Sequence, residues 1–356
     1  MPLSPQSTVA SSFISEVELT LVRKIAEGGM GSVYEAVLHG PRGFEKTVAL
    51  KTIVERYSTN EQFVELFIGE AKLVADLVHQ NICQVYQLGR VGQRYFIAME
   101  YINGVNLRGF LRRHAEAGRR LPPELAVFIT SRICRGLEYA HGKRDKRGLL
   151  LGLVHRDVGP HNIMVSTEGE VKLTDFGVAK ARTQTADLED GRVMVGKAEY
   201  MSPEQVRMEP TDGRSDLFSL GVVMFELLTG ERLFCAETAE EARRKVLELP
   251  FPAARALNPA VSEGTAAVLQ RALERDPAAR YQSAGEMGYE LEYQIYHQGY
   301  GPTIVTLEKH MRELFPELFG PRRPPSKPPG SVELLIGSTT PARPDATAKT
   351  VLERKP

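Results

Sequence analysis

An α+β fold in two lobes is what this sequence predicts, on three observations. From residue 19 to about 102, short runs alternate apolar and polar side chains between glycine-bearing turns, the period of half-buried strands. From Leu107 to about His297 the apolar residues recur instead at helical spacing. One stretch inside that helical part, His155 to Gly177, reads as a hairpin and gathers polar groups that packing alone does not require. The expectation is a five-stranded antiparallel sheet with one main helix (19–102), followed by a mostly helical lobe (103–297).

Composition narrows the classes. A chain of 356 residues holds one large domain or two modest ones, and at 42% hydrophobic it can bury a substantial core. Lys plus Arg equals Asp plus Glu, 45 each, so no global charge draws it toward nucleic acid or a membrane surface. Cys83, Cys134 and Cys235 are odd in number, far apart and without C-x-x-C spacing. They read as small buried apolar groups in a reducing compartment, not as a disulfide framework or zinc site. The N-terminus M-P-L-S-P-Q-S-T has no basic region followed by an apolar run, and no window of 18 apolar residues exists. The expected setting is cytoplasmic, with no membrane span and no nucleic-acid partner.

Residues 1–18 are small and polar and are expected to form a flexible arm. L-T-L-V-R-K-I-A-E-G-G-M-G-S-V-Y-E-A-V-L then reads as two strands joined by a turn from Ala26 through Glu27, Gly28 and Gly29 to Gly31. Its glycines let backbone N–H groups approach phosphate oxygens without a Cβ in the way, though such a turn alone is equally an ordinary hairpin. A dinucleotide fingerprint would need a helix after the turn, and G-S-V-Y-E-A-V alternates like a strand. No G-x-x-x-x-G-K-[ST] occurs, so there is no P-loop. T-V-A-L-K is a third strand ending in Lys51, and the helix F-V-E-L-F-I-G-E-A-K-L-V-A-D-L-V-H carries Glu70. V-Y-Q-L-G-R and Y-F-I-A-M-E-Y complete the sheet, closed by Asn103-Gly104.

The second lobe opens with L-R-G-F-L-R-R-H-A and P-P-E-L-A-V-F-I-T-S-R-I-C-R-G-L-E-Y-A-H, both helical. G-K-R-D-K-R-G-L-L-L-G is a glycine-bounded surface loop. S-D-L-F-S-L-G-V-V-M-F-E-L-L-T-G is a strongly apolar helix with Asp216 near its start, where a carboxylate usually caps backbone N–H groups. Within 298–320, T-I-V-T-L-E-K-H-M-R-E-L-F-P-E-L-F is expected to form one amphipathic helix packed on this lobe. Residues 321–356, opened by P-R-R-P-P-S-K-P-P-G, carry too few apolar groups to offset ordering entropy and read as a disordered tail.

The chemistry lies in H-R-D-V-G-P-H-N-I-M-V-S-T-E-G-E-V-K-L-T-D-F-G. Asp157 can accept a proton from a hydroxyl. Asn162 and Asp175, at the open end of the hairpin I-M-V, T-E-G-E, V-K-L-T, can bind a divalent cation. Mg²⁺ takes hard oxygen ligands shared between protein carboxyls and substrate phosphates, so the set points to phosphoryl transfer. The stretch resembles the catalytic loop and D-F-G segment of the eukaryotic-type protein kinases, and the chain as a whole resembles their bacterial serine/threonine members. The resemblance covers about residues 19–297, with 19 residues from Lys51 to Glu70, 5 from Asp157 to Asn162 and 13 from Asn162 to Asp175.

That resemblance implies a bilobal protein-kinase fold with ATP and Mg²⁺ between the lobes. Gly28 and Gly31 match the second and third glycines of the nucleotide loop, and Ala26 replaces the first. Lys51, paired with Glu70, would orient the α- and β-phosphates. Met99, Glu100 and Ile102 would bound the adenine site at the hinge, and Val33, Ala49 and Met164 would sandwich the purine. Asp157 would take the hydroxyl proton while Asn162 and Asp175 hold Mg²⁺. Thr183 and Thr185 are the expected activation-segment phosphosites, paired after phosphorylation with Arg156. Glu204 in S-P-E matches the glutamate that pairs with the arginine matched by Arg280, and Asp216 the residue that holds the catalytic loop. The implied partners are protein substrates with Ser/Thr hydroxyls and a second copy of the chain, in a transient homodimer for phosphorylation in trans.

Two departures bear on the chemistry. Gly159 stands where the serine/threonine kinase loop H-R-D-x-K-P-x-N has its lysine, and Lys197 where G-T-x-x-Y has its threonine. A linked exchange follows as a hypothesis, with the Lys197 ammonium neutralising phosphate charge from the activation segment. Two other readings stand beside this one. A nucleotide-binding pseudokinase scaffold is favoured by Ala26 and Gly159 and opposed by the intact Lys51, Glu70, Asp157, Asn162 and Asp175. A small-molecule phosphotransferase is opposed by G-K-A-E-Y-M-S-P-E and Arg280.

Overall fold

The structure is a computed structural model and describes residues 17–27, 31–53, 60–91, 94–176, 196–320 and 334–336. The first lobe is a twisted antiparallel sheet: β1 (Val17–Glu27), β2 (Gly31–Gly40), β3 (Phe44–Ile53), β4 (Val85–Val91) and β5 (Arg94–Glu100), with helix α1 (Glu61–Val74) between β3 and β4. The five expected strands are all present. A sixth, β9 (Leu334–Ile336), pairs with β1 at the sheet edge, giving the order β4-β5-β3-β2-β1-β9. The tail read as disordered from 321 thus contributes three residues, Leu334, Leu335 and Ile336, to the edge of β1. An unpaired strand edge leaves backbone donors and acceptors open, and a short apolar run satisfies them.

Strand alternation sorts the small lobe's apolar residues onto two faces. Leu19, Ala36, Val48, Leu50, Phe96 and Ala98 form one buried cluster, and Ile53, Phe67, Ala71 and Ile97 form another beneath α1. The large lobe has one continuous core instead. It is built on α2 (Leu107–Glu116) and α3 (Pro123–His141), then α4 (Pro203–Val206), α5 (Gly213–Thr229), α6 (Ala239–Glu248), α7 (Ala254–Leu257), α8 (Glu263–Ala272), α9 (Ala284–Tyr296) and α10 (Ile304–Leu314). Helix α5 is buried almost all round, which is why its sequence reads as apolar without an amphipathic stripe. Each buried Leu or Phe there contributes about 1.5–3 kcal/mol. Asp212 caps its N-terminus by accepting from Arg214 N–H, and Gly230, at φ 79, ends it in the left-handed region.

Between the lobes lies a three-stranded sheet of β6 (Gly104–Asn106), β7 (Ile163–Ser166) and β8 (Val171–Leu173). β7 and β8 are the hairpin read from the sequence, in register Ile163↔Leu173. Leu173 tethers it to the small lobe, donating to Asn81 O and accepting from Cys83 N–H, both at 2.9 Å. Among the cysteines, Cys83 and Cys134 are buried as expected, but Cys235 is exposed on the surface, where its sulfur accepts from Arg232 Nη2 at 3.0 Å. Among the described residues no helix is long and apolar enough to cross a membrane.

Candidate active site

Asp157 is held from two directions. Asn162 Nδ2 donates to both its carbonyl oxygen and its Oδ2, each at 2.9 Å. The buried His155 acts as a pin: its Nε2 donates to Thr174 O at 2.9 Å, and its Nδ1 accepts from Asp157 N–H at 3.2 Å. One imidazole thus ties the loop bearing Asp157 to the residue preceding Asp175, with its ring 4.6 Å from that of Phe176. Arg156 and Asp175 both take positive φ, 64° and 52°, a region disfavoured for residues with a Cβ. The loop keeps that conformation because buried Asp216 accepts the N–H of His155 at 2.8 Å and of Arg156 at 2.7 Å. His141 Nε2 donates to the same carboxylate at 2.8 Å. Asp216 lies within α5, and the helix cap itself is Asp212.

Across the cleft, Lys51 Nζ donates to Asp175 Oδ1 at 2.7 Å, joining the sheet lobe to the hairpin. Register places Lys51: it lies opposite Val33 on β2 and Ile97 on β5. Glu70 sits on α1, but its side chain is outside the described residues, as are Gly28, Gly29, Gly177, Thr183 and Thr185. Ala26 and Glu27 end β1 opposite Val33 and Ser32, and Glu27 accepts from Lys24 at 3.2 Å. Gly31 is required by close approach, since a Cβ there would lie 2.3 Å from Thr52 O. Buried Ala49 faces Met99 in register, and Met99, Val85, Ile97 and Leu173 line the back of the cleft with Lys51 and Asp175. Met164 lies on β7, half-buried, opposite Lys172.

At the hinge, Glu100 N–H donates to Gln84 O at 2.8 Å, and its carbonyl accepts from the Cys83 thiol at 3.6 Å. Its carboxylate pairs with Lys172 Nζ at 2.8 Å, so Glu100 links β5 to β8. Burial works against the Lys172 charge, yet the Glu100 carboxylate outweighs it and raises the ammonium above its ordinary value. Ile102 follows, half-buried, in the connection to β6.

A cavity of about 490 Å³ opens on the other side of Asp157, lined by Asp157, Arg156, His161, Lys197, Tyr200 and Thr211 among others. Its floor is fixed by α4. Ser202 and Gln205 form a capping box, and Gln205 Nε2 donates to Arg156 O at 2.9 Å. Arg280 meets Glu204 through two hydrogen bonds of 2.7 Å, with Ser215 Oγ donating to the same carboxylate at 2.7 Å. Burial alone would raise the Glu204 carboxyl, but Arg280 and Ser215 outweigh it and hold it below the ordinary range. Tyr200 donates to Glu226 at 2.5 Å, and burial pushes both groups up.

Lys51 and Asp175 thus meet in the cleft between the lobes, Asn162 holds Asp157, Asp157 and Lys197 line the adjoining cavity, and Glu204, Asp216 and Arg280 support the loop and helix that frame it. The donor set suits Mg²⁺: with Nδ2 of Asn162 committed to Asp157, its Oδ1 is the open acceptor, and Asp175 supplies a carboxylate. The sequence reading gave no role to His155, Lys172 or His161. His155 adjoins Arg156 and Asp157 in the motif, and Lys172 faces the hinge by strand alternation, but Thr174 and Glu100, the partners that give them their roles, lie 19 and 72 residues away.

A family profile described as "Protein kinase domain" matches residues 19–288. The chain is 39% identical over 277 residues to "Tyrosine-protein kinase MasK" of Myxococcus xanthus, covering 76% of this chain and 42% of that protein. It is 38% identical over 269 residues to "Serine/threonine-protein kinase PknL" of Mycobacterium tuberculosis (76% and 63%), and 33% over 274 residues to "Serine/threonine-protein kinase PrkC" of Bacillus subtilis (76% and 40%). The chain thus spans 42%, 63% and 40% of the length of these curated relatives, in that order, each less than two thirds. Among solved structures it is similar to the Mycobacterium tuberculosis PknI kinase domain, with a TM-score of 0.56 at 26% identity, covering 83% of this chain and 100% of that one.

Proposed function

The chain belongs to the protein kinase family, and from that premise we propose that it transfers the γ-phosphoryl group of ATP to serine and threonine hydroxyls of proteins, its own activation segment included. The observation that carries this is the placing of Asp157. Its carboxylate, pinned by Asn162, borders a cavity of about 490 Å³ on the activation-segment side, while Lys51 and Asp175 pair across the nucleotide side. A base between a phosphate-binding cleft and an acceptor-sized cavity is the geometry of in-line transfer to a protein hydroxyl.

In this reading Asp157 accepts the hydroxyl proton, worth roughly 10²–10⁴-fold. Asn162 and Asp175 hold Mg²⁺, which neutralises charge on the phosphates when bound. Lys51 orients the α- and β-phosphates, Gly28, Gly29 and Gly31 lie over them, and Val33, Ala49, Met99, Glu100, Ile102 and Met164 enclose the purine. Lys197 neutralises charge from the activation segment, and phosphorylated Thr183 or Thr185 would pair with Arg156. The working unit is the kinase domain 19–297 with its lobes 19–102 and 103–297, extended by the helix within 298–320. A transient homodimer for phosphorylation in trans completes the proposal, together with cytoplasmic signalling, which three unpaired thiols favour.

Transfer to tyrosine is the second reading. One relative is named a tyrosine kinase, and Gly159 removes the loop lysine typical of serine/threonine enzymes. The test is to strip the protein with a phosphatase, incubate it with Mg²⁺ and ATP, and map added mass by peptide, with Asp157→Asn alongside. Phosphoserine or phosphothreonine in the wild type alone is expected. Phosphotyrosine alone would establish the second reading, and ATP binding without added mass would leave a scaffold.

A further inference from the structure

His161 lies between Pro160 and Asn162 in the catalytic loop, and its imidazole occupies space left by Gly159. A Cβ at Gly159 would stand 2.9 Å from His161 Cε1 and 3.1 Å from Nδ1, so a side chain at 159 would have to displace the ring. Nε2 lies 3.5 Å from Asp157 Oδ2, beyond good hydrogen-bonding distance, and that oxygen already accepts from Asn162 Nδ2 at 2.9 Å. The nitrogen is covered from solvent and has no hydrogen-bond partner among the described residues. A buried imidazole nitrogen that meets a carboxylate oxygen only at 3.5 Å is poorly satisfied, so one kept beside a catalytic carboxylate marks a place where a ligand supplies a better partner. The ring lines the same cavity as Asp157 and Lys197.

We propose that His161 is a catalytic residue whose Nε2–H donates to the transferring phosphoryl group. The proposal rests on the phosphotransfer reading above. The acceptor hydroxyl oxygen forms its bond to the γ-phosphorus as the bond from that phosphorus to the β,γ-bridging oxygen breaks. ADP leaves with the electron pair, and the hydroxyl proton passes to Asp157. Negative charge on the non-bridging oxygens then faces His161 Nε2–H. Such contacts are often long without ligand and tighten in the reactant complex. Gly159 is explained in the same stroke, as the gap that admits the ring.

The test uses the full chain with His161→Ala, His161→Gln, and His161→Ala combined with Gly159→Lys, checking that melting temperatures match the wild type. Two quantities are read. One is the initial autophosphorylation rate as a function of ATP. The other is the extra thermal stabilisation that aluminium fluoride gives over Mg·ADP alone, the fluoride standing in for the transferring phosphoryl group. His161→Ala should lower kcat by roughly 10²-fold, the cost of one lost transition-state donor, with KM for ATP within about threefold. It should also abolish the fluoride increment while leaving Mg·ADP stabilisation intact. His161→Gln should retain part of both, and Gly159→Lys should restore turnover to the alanine variant by about tenfold or more, since it returns a cation to the vacated space. Unchanged kcat and an unchanged fluoride increment in His161→Ala would overturn the proposal, as would a loss confined to KM for ATP. If the wild type transfers no phosphate yet loses its fluoride increment in His161→Ala, the kinase reading fails while the phosphoryl contact stands.

Discussion

Arg156 and Asp175 sit in left-handed backbone at φ 64° and 52°, a strain of order 1–3 kcal/mol each. Neighbouring residues hold them there: Asp216 grips the loop N–H groups, and His155 bridges the loop to Thr174. Buried ion pairing sets the frame around them. Arg280 is 1% exposed and depends on Glu204 for its charge balance. Glu204→Ala should therefore cost about 3–5 kcal/mol in urea unfolding, because it leaves a buried guanidinium unpaired. Arg280→Ala should cost a similar amount, and the double variant less than the sum; strict additivity would mean that the two do not act as a pair. Lys197 shares the cavity of Asp157. If it neutralises phosphate charge, Lys197→Ala should lower kcat far more than it raises KM for ATP, and equal turnover would remove it from the mechanism.

At the scale of elements, the β7–β8 hairpin carries Asn162 and Asp175, the proposed cation ligands, at its base and meets α10 at its tip. Gly169 turns the hairpin at φ 77, and a Cβ there would come within 1.9 Å of Ile304 O, so the helix backbone rests on the turn. Helix α10 is also clasped to α2 by a histidine pair. His114 Nδ1 donates to Phe110 O at 2.9 Å, which leaves Nε2 to accept from His310 Nε2–H at 2.9 Å. Burial lowers both groups, His310 to about 4 with help from His114 and Arg119 and with Glu313 opposing. Arg119 pairs with Glu313, and Arg113 with Glu317, around the clasp. A histidine whose folded value is depressed stabilises the fold above its unfolded value near 6.5 and loses that contribution as pH falls toward its folded value. Thermal unfolding should therefore weaken between about pH 6.5 and 4, on the order of 2 kcal/mol, through the docking of α10. His310→Phe should flatten that slope, and an unchanged slope would place the titration elsewhere.

The whole molecule is unequal in its two lobes. The large lobe has one continuous core, while the small lobe divides its apolar residues into two small clusters on opposite sheet faces. Cross-lobe ties run through Lys51–Asp175, Lys172–Glu100 and the Leu173 backbone. Nucleotide bound in the cleft would add contacts to the small lobe, whose buried clusters are the smaller. Mg²⁺ with a non-hydrolysable ATP analogue at about 100 times its Kd should add about 2.7 kcal/mol of stability. Hydrogen exchange should slow most in 17–53 and 94–106, and protection confined to the large lobe would contradict a site between lobes.

The sequence by itself determined the order of elements and the identities at the cleft. Strand and helix periods are local, and the spacings from Lys51 to Glu70 and from Asp157 to Asp175 survive any packing. It also marked Gly159 as a departure. What fills the gap at Gly159 was decided in three dimensions, since the place of the His161 ring depends on loop backbone that Asp216, 55 residues further on, holds in place. The pairing of β9 with β1 and the His114–His310 clasp were likewise hidden, because both join segments about 200 residues or more apart. No local pattern encodes such contacts. They arise when a packed core brings distant edges and faces within hydrogen-bonding range.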